Sequence, residues 1–472
     1  MTLRIDNTLT GSKEAFAPIE EGKVRMYVCG VTVYDDIHMG HGRSIVVFDV
    51  VRRYLQHLGY EVTFVTNFTD VDDKIIGRAN ERGISALDLS EEYIETYFRD
   101  IDSLGVRRAD IYPRASTSMP YIIDMVREIV ERGYAYPVRD GSVYFRVRRV
   151  PGYGRLSNRT LDEMRPTGRI DPAEGKEDPL DFAIWKGAKP GEISWASPWG
   201  EGRPGWHIEC SAMIRHFLGD VIDIHGGGND LVFPHHENEI LQTEAVTGGV
   251  LARYWMHNGM LETKGEDGSM EKMSKSLRNF FKVKDVAAKF DKQTIRFYFL
   301  NTHYRSPLAY GEENMVEAKN ALGRLWNNYR DLQACARGGA SGDPDNVLPI
   351  IDSARKGFAA SMDDDFNTRA AIESLFAFAR DTNRMMSEGV LTREGAGAAL
   401  AFYGEVDGVL GILPEEGGSD DSSDAVMSIL VDLRQELRKR RQYDLADMIR
   451  DRAREAGYSL EDSADGAKWK RI

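Results

Sequence analysis

One stretch constrains this chain more than any other. Met26-Tyr27-Val28-Cys29-Gly30 is a short apolar run, followed by a polar turn through Thr32, Tyr34, Asp35 and Asp36, then His38-Met39-Gly40-His41 and an amphipathic run from Ile45 to Leu58. That succession of periodicities reads as strand, loop, helix. A helix N-terminus after such a loop presents unpaired N–H groups and a partial positive charge, which suits phosphate. Gly40 has no side chain, so a flat ligand or a phosphate can approach the backbone there. His38 and His41 can both donate hydrogen bonds to an oxyanion. Two histidines near a helix start also suit ordinary polar surface, so this stretch alone leaves both readings open.

The next residues extend the pattern. Glu61 to Phe68 alternates apolar and polar residues and ends at Asn67-Phe68-Thr69-Asp70. Strand, helix and strand with short links imply a parallel, right-handed βαβ unit whose ligands bind at the carboxyl ends of the strands. Cys29 and Thr69 then stand at neighbouring strand ends, facing the mouth of a site. Asp70 to Lys74 caps the following helix with acidic residues, which need no catalytic role. Helical patterns run from Ala86 to Leu104 and from Tyr121 to Arg132, and Asp140-Gly141 signals a hairpin within Ala135 to Val147. From Val150 to Gly205 the chain turns rich in Pro, Gly and charge, and reads as an insertion over the nucleotide-binding core. Val221 to His225 is a further strand, followed by Gly226-Gly227-Gly228-Asn229-Asp230. The glycines permit close backbone approach to a ligand, a plain loop being the alternative, and Asp230 can accept from ribose hydroxyls.

Two more groups carry chemistry. Lys272-Met273-Ser274-Lys275-Ser276 places two lysines three apart among Gly and Ser residues, where they can meet phosphate oxygens or form a solvated basic loop. His235-His236-Glu237-Asn238-Glu239 follows Pro234 and opens a helix. His235 and Glu239 share its face, while His236 and Glu237 point elsewhere. With Cys29 and Cys210 they suffice for a tetrahedral zinc site, although a His/Glu pair at this spacing is also a common surface hydrogen bond.

His38-Met39-Gly40-His41 after a first strand and Lys272 to Ser276 after a later one resemble the paired signatures of class I aminoacyl-tRNA synthetases. Tyr27-Val28-Cys29-Gly30, Gly205-Trp206-His207-Ile208-Glu209-Cys210-Ser211 and Pro234 to Glu239 narrow the resemblance to the cysteinyl-tRNA synthetase family. It extends over nearly the whole chain, through Met362-Asp363-Asp364-Asp365-Phe366-Asn367-Thr368 to Lys468-Trp469-Lys470-Arg471. Met39 replaces the commoner isoleucine with another apolar residue.

The resemblance implies ATP-dependent ligation of L-cysteine to tRNA(Cys) through a cysteinyl-adenylate. Cys29, Cys210, His235 and Glu239 would hold one Zn2+ that binds the substrate thiol, and Mg2+ would accompany ATP. His38, His41, Lys272 and Lys275 would be catalytic, with Gly40, Gly226, Gly228 and Asp230 also at the ATP. Thr69 and Trp206, beside Cys29, would grip the amino acid. The implied fold is α/β: a Rossmann-like parallel-sheet catalytic domain with an insertion, followed by an α-helical domain and a small C-terminal module.

Expected boundaries are 1–130 and 205–265 for the two halves of the catalytic core, around a connective insertion at 131–204. Residues 266–312 hold the KMSKS loop and a stem-contact region, and 313–412 an α-helical tRNA-binding domain. Residues 413–424 read as a linker, and 425–472 as an anticodon-binding module. Met315, Ala318, Leu322, Leu325, Tyr329 and Leu332 keep helical spacing and read as core.

Composition bears mainly on partners and compartment. The net charge of −14 argues against a generally basic nucleic-acid surface, so an RNA partner needs a local basic patch. Arg438 and Arg440 on the first helix of the C-terminal module, with Trp469 as a stacking ring, are the candidates. Three scattered cysteines make no disulfide framework, no apolar run reaches membrane-spanning length, and Met1 to Glu21 lacks a signal-peptide core. The expectation is a cytoplasmic monomer without a membrane partner. A cysteine ligase acting on an amino-sugar and a catalytically silent RNA-binding relative are the competing readings. The basic C-terminal module argues against the first, and the intact signatures against the second.

Overall fold

The computed structural model describes residues 2–161, 163, 175–264, 270–272, 280–414, 421–463 and 466–471. Met273 to Ser276, including Lys275, therefore lie outside the described residues. The chain divides into two compact units, residues 1–311 with 357–372, and residues 312–356 with 373–472.

In the first unit a hairpin of β1 (Arg4–Asn7) and β2 (Ser12–Ala15) precedes the core. The expected βαβ unit follows as β3 (Lys23–Thr32), α1 (Met39–His57) and β4 (Glu61–Thr69). β3 and β4 pair in parallel from Lys23 opposite Glu61 to Thr32 opposite Thr69, with one irregularity between Val28 and Val31. Cys29 and Gly30 occupy that irregularity, so the strand runs past the residue taken as its end and re-aims the cysteine. Gly30 is required there, because a Cβ would stand 1.7 Å from the Asn67 carbonyl oxygen.

Helices α2 (Asp73–Arg82), α3 (Ala86–Ser103) and α4 (Met119–Glu131) come next. Asp72 caps α2 by accepting from the Lys74 N–H, the structural role read for that acidic run. The Pro- and Gly-rich stretch contributes three strands to an antiparallel sheet that begins just before it. The strands of the sheet are β5 (Ala135–Pro137), β6 (Val143–Phe145), β7 (Phe182–Gly187), β8 (Trp195–Ser197) and β9 (Gly200–Pro204), in the order β5-β6-β7-β9-β8. It packs through Phe145, Ile184 and Trp185 against Met125, Ile129, Ile208 and Leu241.

The chain then re-enters the core through α5 (Trp206–Leu218), β10 (Ile222–Gly228), α6 (Glu237–Thr247) and β11 (Ala252–Asn258). The parallel sheet has the order β11-β10-β3-β4. From the central pair the chain winds outward in opposite directions, so a crevice opens beyond the carboxyl ends of β3 and β10. Gly226 to Gly228 are not a loop after the strand, as read from sequence. They are its last residues and pair with Met256, His257 and Asn258 of β11. At Gly226 a Cβ would stand 2.4 Å from the Phe48 ring, so the glycine lets α1 close onto the sheet.

A small sheet of β12 (Leu261–Lys264), β13 (Met270–Lys272) and β14 (Leu308–Ala309) follows the core, with α7 (Val283–Ala287) and α8 (Lys292–Leu300) between its later strands. α9 (Glu312–Gly338), α10 (Leu348–Asp363), α11 (Thr368–Ser387) and α12 (Arg393–Leu410) carry the chain through the helical region. Within the second unit Met315, Ala318, Leu322, Leu325 and Leu332 are buried, as their spacing predicts, while Tyr329 is partly buried; Leu375, Phe378 and Phe402 are buried as well. Its C-terminal part is α13 (Asp421–Lys439), α14 (Tyr443–Glu455) and the hairpin of β15 (Tyr458–Ser463) and β16 (Gly466–Arg471). Among the described residues no helix is long and apolar enough to cross a membrane.

Candidate functional site

Four residues named from the sequence meet at the crevice. Cys29 comes from the irregularity near the end of β3, and Cys210 lies one turn into α5. His235 sits in an irregular turn, Val232–His236, and Glu239 in the first turn of α6. The turn departs from the helix expected to open at His235, yet the four-residue spacing still brings His235 Nε2 to 3.1 Å from Glu239 Oε1. Cys29 Sγ lies 3.6 Å from Cys210 Sγ and 3.5 Å from Glu239 Oε1. Zinc bonds to S, N and O in a regular tetrahedron imply ligand–ligand edges of about 3.3–3.8 Å. All three separations lie within or close to that range, and one donor atom from each of the four residues falls within 4.8 Å of the others. The donor set fits a zinc ion without rearrangement of the backbone.

Electrostatics favour the same occupant. Burial, then contact with Cys210 and Glu239, pushes the Cys29 thiol well above its ordinary range. For Cys210 the hydrogen bond with Cys29 pulls downward, but burial and Glu239 outweigh it and the net shift is up. Burial, with His207 and His225 beside it, holds His235 well below the usual imidazole range and therefore neutral. Two thiolates and a carboxylate in this largely buried space repel one another, and a divalent cation reverses that balance.

A shell of imidazoles surrounds the four residues. His207 Nδ1 is 2.9 Å from His235 Nδ1, which leaves Nε2 facing the centre. His225 Nε2 is 2.8 Å from Glu239 Oε2, the carboxylate oxygen turned away from His235. His236 Nδ1 meets His257 Nε2 at 2.8 Å, and His257 in turn meets the Thr8 hydroxyl. Partners of this kind fix the orientation and tautomer of metal-binding side chains. Sequence reasoning missed all four surrounding histidines and directed His236 elsewhere. It is fully buried in the same cavity, and Cys29, His225, His236 and Glu239 form a second cluster compatible with a metal. Only the glycines beside His225, of which Gly227 leaves room for the His236 ring, hinted at the crowding.

The two residues expected to grip an amino acid flank this cavity. The Trp206 ring stacks on His235 with centroids 4.2 Å apart, and at 38% exposure it also faces solvent. Thr69 is buried at the end of β4 and donates from Oγ1 to Glu209 Oε2 at 3.1 Å. Burial, then Asp70, pushes the Glu209 carboxyl well above the usual range. Asn67 links the pair to the cysteines: its amide donates to Thr69 Oγ1, its Oδ1 accepts from the Gly30 N–H, and that oxygen lies 3.8 Å from Cys210 Sγ. Neither Glu209 nor Asn67 stood out in the sequence.

On the opposite side of β3, His38 is the N-cap of α1. His38 Nδ1 accepts from the His41 N–H at 3.2 Å, and His41 Nδ1 accepts from the His38 N–H at 3.4 Å. With both Nδ1 atoms accepting, each neutral ring carries its proton on Nε2 and offers a donor there. The rings stack at 3.7 Å, and a Cβ on Gly40 would stand 2.9 Å from His38. Asp230 is exposed just beyond β10, with its carboxylate where a Cβ on Gly228 would fall. Lys272 lies on β13, opposite Glu262.

In the C-terminal module Arg440 is exposed and paired with Glu436 at 2.9 Å, while Arg438 lies on α13 two residues before it. Trp469 differs from the exposed ring expected from sequence. It is partly buried, packing with Met427, Val431 and Leu460 and meeting Tyr458 edge-on. Arg434, on the same helix as Arg438, is buried.

Known proteins resemble this chain. The family profile for tRNA synthetases class I (C) catalytic domains covers residues 15–320, and that for the DALR domain covers residues 357–414. Cysteine–tRNA ligases of Symbiobacterium thermophilum and Thermococcus onnurineus are 48% and 47% identical, each match covering 100% of both chains. Among solved structures, methionyl-tRNA synthetase of Mycobacterium tuberculosis in complex with methionyl-adenylate aligns with a TM-score of 0.58 at 16% identity, over 82% of this chain and 89% of that one. A ternary complex of Agrobacterium radiobacter K84 agnB2 LeuRS with tRNA and LeuAMS aligns with a TM-score of 0.61 at 11% identity, over 84% and 85%. These last two show likeness of fold. The chain belongs to the cysteine–tRNA ligase family and carries a class I tRNA synthetase catalytic domain.

Proposed function

We propose that the crevice activates L-cysteine with ATP and passes it, as cysteinyl-adenylate, to the terminal ribose of tRNA(Cys). A carboxylate oxygen of cysteine attacks the α-phosphorus, the bond to the bridging oxygen breaks, and pyrophosphate leaves. No side chain needs to form a covalent bond, so catalysis comes from positioning and from stabilising phosphate charge. His38 and His41 present Nε2–H donors beside the helix N-terminus, where phosphate oxygens are favoured. Lys272 and Lys275 supply point charges for the departing pyrophosphate, whose Mg2+ arrives with the nucleotide. Gly40, Gly226, Gly228 and Asp230 border the space for the nucleoside.

Cys29, Cys210, His235 and Glu239 would hold a zinc ion, with His207 and His225 orienting two of those ligands. The ion would supply a Lewis acid able to take the substrate sulfur as an added or exchanged ligand. Trp206 and Thr69 stand beside the donors, placed to meet the amino acid's backbone groups. Shape alone separates cysteine from serine and alanine by only about 1–3 kcal/mol, so a sulfur-specific contact supplies what size cannot. The convergence of those four side chains at the same strand ends as the HMGH loop carries this reading.

The test is cysteine-dependent ATP–pyrophosphate exchange followed by charging of tRNA(Cys), on protein whose zinc content has been measured. Exchange that needs both zinc and cysteine, with transfer to tRNA(Cys), is the expected result. Full activity in demonstrably metal-free protein contradicts the sulfur contact, and transfer to an amino-sugar alone contradicts the acceptor.

A further inference from the structure

The residues flanking the KMSKS segment are tied to the HMGH helix from both sides. On the upstream flank the tie is Arg43, two residues past His41, whose side chain is completely buried. Its Nη1 donates to the carbonyls of Gly259 and Met260 at 2.8 and 3.1 Å. Its Nη2 lies 3.3 Å from the carbonyls of His303 and Tyr304 and donates to Ser306 O at 2.6 Å. Burial pushes this guanidinium down to about 10, and among the described residues no carboxylate forms an ion pair with it. A buried cation satisfied only by carbonyls is expensive, and an apolar side chain of similar volume often serves packing as well.

What Arg43 grips explains its presence. Gly259 and Met260 join β11 to β12, and the 303–306 turn leads into β14. The two segments cross at contact distance, because a Cβ on Gly259 would stand 2.4 Å from Ser306 O. β12 lies between β13 and β14, with Glu262 opposite Lys272. One side chain on α1 therefore sets where β12, and through it the first KMSKS lysine, stands relative to the histidines.

The downstream flank is tied to the residues just before α1. Met39 N donates to Phe281 O at 2.8 Å, and Val283 N donates to Ile37 O at 3.0 Å. Asp36 Oδ2 lies 2.7 Å from both Lys282 Nζ and Lys284 Nζ.

We propose that Arg43 and Asp36 are positioning residues for adenylate formation, fixing the two flanks of the KMSKS segment against the HMGH helix so that its lysines and the two histidines meet one set of phosphates. This rests on the adenylate chemistry proposed above. Neither residue touches substrate. Each acts through Lys272 and Lys275, so the effect belongs to the ATP-dependent step and not to cysteine capture or transfer.

The experiment uses the full chain loaded with zinc, with active sites titrated and kcat expressed per active site. Arg43→Met is expected to lower kcat for ATP–pyrophosphate exchange about 30-fold, on the scale of a misplacement of about an ångström. Asp36→Asn is expected to lower it about threefold. Zinc content, the KM for cysteine and the rate of transfer from preformed cysteinyl-adenylate should stay at wild-type values. Arg43→Lys, which keeps the charge but not the fork, should recover only part of the loss. Added to Lys275→Ala, either variant should cost less than about twofold more, because the lysine it positions is gone. Should Arg43→Met fail to fold, Asp36→Asn carries the same sub-additivity test. Additive losses with Lys275→Ala, or unchanged exchange in both variants, overturn the proposal alone. A wild-type chain with no cysteine-dependent exchange overturns the adenylate reading and the proposal together.

Discussion

The two sides of the crevice are built differently. On the side proposed for sulfur, the four candidate donors are held by the fold itself. Cys210, His235 and Glu239 are each at most 2% exposed, and Glu239 is braced on both oxygens. On the side proposed for phosphate, His38 and His41 are only partly buried and hold each other, while the lysines proposed to act with them come from a segment more than two hundred residues further along the chain. Selection of a thiol demands a fixed centre, because a fraction of an ångström separates sulfur ligation from none. Stabilising a departing pyrophosphate demands charge in the right place at one moment, which separate pieces can supply if their bases are fixed.

That contrast is open to graded tests. The largest effect belongs to Cys210→Ser. It should abolish stoichiometric zinc and lower cysteine activation about 1000-fold or more, read by metal analysis and exchange kinetics on the same sample. Retained zinc with retained selectivity would break the picture of a fixed sulfur centre. Next, Lys275→Ala should lower exchange kcat about 100-fold with little change in the KM for cysteine, in keeping with lost charge stabilisation on the phosphate side alone. His225→Asn removes the brace on Glu239 Oε2 and should weaken zinc binding about 10- to 30-fold, measured by chelator competition, while exchange at saturating zinc stays near wild type. The smallest effect is Arg440→Ala, expected to weaken tRNA binding about threefold and to reduce the salt dependence by about one phosphate contact. An unchanged salt slope would take this arginine out of the RNA interface.

How much of this was legible beforehand follows from where the information sits. The βαβ unit was readable because a strand and an amphipathic helix each carry their period locally. His235 and Glu239 were readable as a pair for the same reason, since helical spacing survives even though the turn before α6 is irregular. Linking them to Cys29 and Cys210 as one set rested on resemblance, because strand ends far apart in sequence carry no local mark of their meeting. The surrounding histidines show the limit most clearly. His225 and His257 lie on adjacent strands, and His236 reaches between them from a third element. Gly226 to Gly228 misled for the opposite reason: a glycine run reads locally as a loop, whereas pairing with β11 makes it strand. Arg43 escaped notice because a lone arginine on an amphipathic helix reads as solvated, and only its backbone acceptors show that it is core.

The most direct test of the central claim loads the four-donor site with cobalt, whose sulfur charge-transfer bands report on ligation. Adding cysteine to the cobalt-loaded chain should strengthen those bands in proportion to bound amino acid, and adding serine should leave them unchanged. Bands indifferent to cysteine in a preparation that still activates it would contradict the account.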